Sequence, residues 1–384
     1  MNPTGPTAQR FPLVARPRPA CSPLRPRIAD LAERARAADR ENSATGASAV
    51  FNLAALLASD IGMPELARQL CHRHVNAYLR TGRPLNAEAA RNALEPLVNL
   101  ARLATRAGNG EHAYRLLDDL YTAVTTRTDT TIDGTHVPAG NLTDSDHAHA
   151  EVRHWLWTVH LATGTRALTS AGLWHEAEDH LRAHNGIGHR MLDGRQVAVL
   201  ARATAGEADA ALALLRTTTP GNPWENAVTA CLTALCTDTP TPGTPHLIDY
   251  HRKLNNSHSL TVFRTRLGLN ILDAHGTVKG HSVRGFVTEL LQDATMSNDG
   301  YAAQDLLTHA RYASLLTSPQ KQRLATLVHN CGFGHCTLPN NLDADLSAAL
   351  DFSEAVLTRN VTGNGSARVR IVVLPATQTP CEPS

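Results

Sequence analysis

The tightest group of side chains able to ligate a metal is His329, Cys331, His335 and Cys336, in VHNCGFGHC. Thiolate and imidazole are sound zinc ligands, and the local glycines let the chain turn around an ion. Structural zinc sites, however, pair one closely spaced ligand unit with a second, and His335 and Cys336 are adjacent, which points them apart. A helix C-terminus with buried cysteines explains the same residues, so no metal is assigned and these four stay the weak candidate set. A second stretch, HEAEDH at His175–His180, resembles a metalloprotease helix. That chemistry needs two histidines four residues apart, so that both imidazoles face one ion. Here they are five apart, which leaves them roughly 140° out of line on a helix. HEAEDH therefore reads as a surface helix. Cys231 and Cys236 are also five apart; they are not a redox pair and read as core.

No phosphate loop is present. Gly108-Asn109-Gly110 makes a helix–helix turn, with no strand before it and no Lys-Ser/Thr after it. There is no G-x-S-x-G elbow and no recognisable Ser–His–Asp grouping. Nothing positive supports an enzyme, no catalytic residue is assigned, and no cofactor is expected.

The elements that would position any site come from a repeated pattern. In TRALTSAGLWHEAEDHL and QVAVLARATAGEADAALALL the turn glycines Gly172 and Gly206 lie 34 residues apart. Each is followed five residues later by alanine (Ala177, Ala211) and four after that by leucine (Leu181, Leu215). Gly62 with Ala67 and Cys71, and Gly108 with Ala113 and Leu117, repeat the pattern upstream. This grammar over about residues 48–215 resembles the tetratricopeptide repeat (TPR). The resemblance implies an all-α fold: a right-handed superhelix of antiparallel helix pairs that holds a partner.

Carried onto matching positions, the TPR groove would be lined by Asn52, Ser59 and Asp60, then by Glu95, Val98, Arg102, Thr105 and Arg106. Arg166, Thr169 and Ser170 follow, then Asp193 and Gln196, with Asn99 at the rim. By that resemblance Arg102, Arg106 and Arg166 could clamp a carboxylate through charge-assisted hydrogen bonds; a solvated polar face is the plainer reading. Between the second and third pairs, Asp133-Gly134 flanked by Thr130–Ile132 and Thr135–Val137 signals a type I′ hairpin. Asp133, Gly134 and His136 are its candidate binding residues, since inserted loops often carry function.

Composition is consistent with this plan. Apolar residues make up 42% and aromatics 4%, with Ala and Leu dominant, which suits closely stacked helices. Formal net charge is +1, so no global field favours nucleic acid or anionic membrane. Seven cysteines without a disulfide array fit a reducing cytoplasm, and the 20 scattered histidines read as solvated surface. The expected organisation is a disordered Pro/Arg-rich arm at 1–27 and helical repeats at 28–216 with the hairpin insertion at 127–144. Degenerate repeats or a cap at 222–360 and a disordered tail at 361–384 complete it. The expected function is a scaffold or regulator whose groove recognises a peptide or protein segment, acidic segments included. The alternative is an accessory or catalytic protein of a bacterial specialised-metabolite pathway, binding a small molecule in a helical cleft.

Overall fold

The computed structural model describes residues 1–237, 244–274 and 281–362, and it is all-α apart from one two-stranded ribbon. The first half runs α1 (Pro6–Gln9), α2 (Leu24–Glu41), α3 (Ala44–Asp60), α4 (Pro64–Leu79), α5 (Ala87–Arg106) and α6 (Gly110–Thr126). The ribbon β1 (Thr130–Ile132) and β2 (Thr135–Val137) follows. Then come α7 (Asp146–Val159), a π-helical turn (His160–Gly164), α8 (Thr165–Ser170), α9 (Trp174–Ala183), α10 (Asp193–Thr204) and α11 (Ala208–Arg216). The second half holds α12 (Pro223–Cys236), α13 (Thr244–Arg252), α14 (Thr261–Ala274), α15 (His281–Met296), α16 (Gly300–Thr308), α17 (Ala310–Leu315), α18 (Ser318–Asn330) and α19 (Asn340–Thr362).

Local chemistry explains most boundaries. Ser43, Asn86, Asn109 and Ser145 cap α3, α5, α6 and α7 by accepting from a backbone N–H of the first turn. The four turn glycines read from the sequence all take left-handed φ, from +79° to +87°. Asp133 and Gly134 both have positive φ, the type I′ geometry their sequence predicts, and Thr131 pairs with His136 across the ribbon. The stretch 300–316, which reads as one helix, breaks at His309. There the backbone is extended and the ring Nδ1 caps the N–H of Tyr312, starting α17 afresh.

Two hydrophobic cores form, and they do not divide the chain at residue 216 as expected. One joins α2–α7 to α19, with Leu342, Leu346, Leu350, Val356 and Leu357 buried among Ile28, Phe51, Ala54 and Val75. Ion pairs Arg73–Asp351, Arg73–Glu354 and Arg359–Asp39 fasten α19 there. The other core joins residues 168–331 to the N-terminal segment. Residues 1–23 are therefore no free arm: Ala8, Phe11, Leu13 and Cys21 are each at most 3% exposed. Proline content hid these apolar anchors, of which Phe11, Leu13 and Cys21 bury outside any helix. The last helix likewise packs against α2, α3 and α4 and does not cap the far end. The tail expected at 361–384 lies outside the described residues after Thr362.

Candidate functional site

Several residues that the repeat resemblance assigns to a groove contact the chain's own N-terminal segment. Gln196 of α10 reads Leu13 in both senses: its Nε2 donates to the Leu13 carbonyl and its Oε1 accepts from the Leu13 N–H, each at 2.7 Å. Arg166 of α8 donates to the carbonyl of Phe11 at 2.7 Å and to that of Gln9 at 3.4 Å. Burial and the nearby Arg266 lower the pKa of Arg166 to about 10. Gln9 donates to the carbonyl of Thr169, and Arg16 pairs with Asp193. These bonds go largely to backbone atoms, as reading an extended segment requires.

Helices of the second half cover the other side of that segment. Asp273 of α14 accepts from Thr7, from Arg10 and from His309 at 2.7–2.9 Å. Burial alone would raise the Asp273 carboxyl, but the bonds from His309, Thr7 and Arg10 outweigh it and hold the pKa near 2. Its folded value thus lies below the ordinary 3.8, so its contribution is whole above about pH 4 and is lost as the pH falls towards 2, roughly 2 kcal/mol in all. Acid titration followed by hydrogen exchange is expected to release residues 1–23 in that window, and Asp273→Asn to release them at neutral pH.

The remaining groove candidates bond within the chain. Asn99 donates to Asn52 and accepts from Arg102. Asp60, whose side chain is 1% exposed, takes Arg27 at 2.6 Å, Arg106 at 2.8 Å and the Tyr301 hydroxyl at 2.7 Å. Burial and the Asp60 carboxylate push the Tyr301 phenol above its usual range. In the hairpin, Asp133 accepts from Arg68 and His72 of α4, so the ribbon is fastened to that helix, while His136 is exposed beside Asp129.

The weak metal candidates separate. Cys331 is buried with its thiol donating to the Cys21 carbonyl, Cys336 is exposed, and only the rings of His329 and His335 meet, 4.6 Å apart.

A different cluster was missed. His160, His180 and His184 each bring one ring nitrogen within 4.8 Å of the others. Reading HEAEDH as a surface helix holds for His175, but His180 is only 7% exposed. Its partner by spacing is His184, four residues on in HLRAH, so the helical signal lies in His180 and His184 and not in His175 and His180. His160 had no comparable signal, because it enters from the π-helical turn between α7 and α8, where the wider turn re-aims the side chain.

Tyr114, Asp118 and Tyr121 share one face of α6 and hold these rings. Tyr121 stacks on His160 at 4.8 Å, Tyr114 meets His180 edge-on at 5.3 Å, and Asp118 Oδ1 lies 3.2 Å from His160 Nε2. Gly110 seats α6 against α8, since a Cβ there would collide with the Ala167 carbonyl. The cluster opens into a cleft of about 700 Å³ whose rim carries Glu111, Asp118, Glu176 and Asp179. Burial and the two facing imidazoles lower the pKa of His160 to about 3, and burial lowers that of His180 as well, so both rings are neutral near pH 7.

No helix among the described residues is long and apolar enough to cross a membrane. Comparison with protein-family models, with curated proteins and with solved structures finds no match to this chain.

Proposed function

We propose that this is a TPR-like partner-binding protein whose groove recognises an extended peptide segment, with its own residues 1–23 as the resident occupant. The observation that carries the reading is Gln196 bonding both the N–H and the C=O of Leu13. Arg166 adds a donor to the carbonyl two residues away. Amide and guanidinium groups aimed at main-chain atoms favour an extended strand of varied sequence, with side-chain pockets setting preference. Here the pockets hold Phe11 and Leu13. A partner would displace the resident segment, which competes at the high effective concentration of a tethered ligand. Arg106 is already engaged by Asp60, so an acidic partner would have to compete for it.

The test uses the full chain with Phe11→Ala, which loosens the resident segment, and a labelled peptide of residues 1–23 followed by fluorescence anisotropy. Binding is expected, and adding Arg166→Ala or Gln196→Ala should weaken it by roughly tenfold or more, the scale of one lost charged or paired hydrogen bond. A folded Phe11→Ala chain that takes up no peptide sinks the reading. The 700 Å³ cleft beside the histidines favours a second reading, in which a small molecule binds between helix pairs.

A further inference from the structure

We propose that His160, His180 and His184 bind one divalent transition-metal ion of the zinc or cobalt type, with a coordination position left open towards the acidic cleft. The inference is independent of the peptide reading. Three imidazoles are a ligand set suited to such ions, and a set of three protein ligands is the kind that keeps a place for water or substrate.

Hydrogen bonding fixes the tautomers in the right sense. The Asp118 carboxylate can only accept, so His160 Nε2 carries the proton; the His160 carbonyl can only accept, so His180 Nε2 carries one too. Both rings therefore keep their Nδ1 lone pairs for an ion, each with its other nitrogen held by an outer acceptor, the arrangement typical of metal-ligating histidine. His160 Nδ1 is buried and has no hydrogen-bond partner, on a residue only 2% exposed. A buried acceptor left without a partner is unfavourable, and an ion would satisfy it. The rim carboxylates add a negative field at the entrance.

Ligation requires a contraction. Metal–nitrogen bonds of about 2.0–2.1 Å in a tetrahedron hold nitrogens roughly 3.3 Å apart, closer than the 4.8 Å within which one nitrogen of each ring now lies. His184 can supply the movement: it is the half-buried C-cap of α9, with one ring nitrogen accepting from the indole N–H of Trp157 at 3.3 Å. That bond cannot survive. If His184 ligates through Nε2, its Nδ1 becomes a donor and opposes the indole; if through Nδ1, the ion takes the lone pair. Tyr114, whose hydroxyl lies 3.3 Å from His180 Nδ1, must also turn aside. Metal binding is thereby coupled to a reporter on α7.

The full chain, purified without a polyhistidine tag and stripped with a chelator, is titrated with cobalt chloride and then zinc chloride. One ion per chain is expected, with intense visible absorption of low-coordinate cobalt that zinc abolishes and with a shift of the Trp157 indole N–H resonance. His184→Ala and His180→Gln should each weaken binding by about a hundredfold or more, and Asp118→Asn by about 10–100-fold. His329→Ala/His335→Ala should leave it unchanged. His184 lies at a helix end, so His184→Ala is expected to stay folded by circular dichroism even if His180→Gln does not. The proposal is overturned if the stripped chain takes up neither ion at micromolar concentration, or if folded His184→Ala binds as tightly as the parent. It is also overturned if only His329→Ala/His335→Ala removes the ion.

Discussion

Replacing Phe11 with alanine is expected to cost about 3–5 kcal/mol of stability, the range for deleting a fully buried phenyl ring. Phe11 is 0% exposed and sits in the second core with Trp174, Val197 and Leu200. The loss should be larger in effect than its energy suggests, because few other apolar groups hold the segment; Ala8 is small, and Leu13 and Cys21 are the remaining buried anchors. Once Phe11 is gone, the bonds from Arg166 and Gln196 face water-competent backbone. Urea titration gives the energy, and limited trypsinolysis gives the location: cleavage after Arg10 is expected well before the helices are cut, Arg16 and Arg18 each being followed by a proline that blocks trypsin. A variant that loses stability with no change in cleavage after Arg10 would show that the segment is not the part released.

The second large effect is expected at Asp60. Its side chain is 1% exposed and bonds Arg27, Arg106 and Tyr301 at once. Asp60→Ala leaves two guanidinium groups close together with no counter-charge, and breaking a buried pair from one side typically costs about 3–5 kcal/mol. Arg27 is the more damaged partner, being 14% exposed against 40% for Arg106, which can turn to solvent. A Tm measurement on Asp60→Ala, Arg106→Ala and the double variant should give strong non-additivity, since each removes the same bond. Simple additivity would mean that the Asp60–Arg106 bond contributes little.

What could be read beforehand follows the range of the forces involved. Turn glycines, caps and the Asp133-Gly134 hairpin are decided within a few residues, and the observed elements match them. The far partners were not legible. Nothing near Phe11 announces that α8, α10 and α14 close around it, and proline content argued for a loose arm. The helix from Asn340 to Thr362 carries no mark that it returns to Ile28 and Phe51. The histidine cluster falls between these cases. His180 and His184 share a helical spacing that can be found by inspection, whereas His160 joins them only because a π-helical turn places it there.

The two ends of the chain cross over: residues 1–21 complete the core of residues 168–331, while residues 342–357 complete the core of residues 24–167. For a ribosome making this chain from its N-terminus, neither core can close in the order of synthesis. The earliest residues must wait for more than half of the chain, and the first helices stay open on one face until α19 emerges. Pairing of such distant segments makes folding slow and exposes apolar surface meanwhile. A pulse-labelled chain stalled before residue 340 should therefore already protect Phe11, yet leave Phe51 and Val75 open to exchange and to chaperone binding.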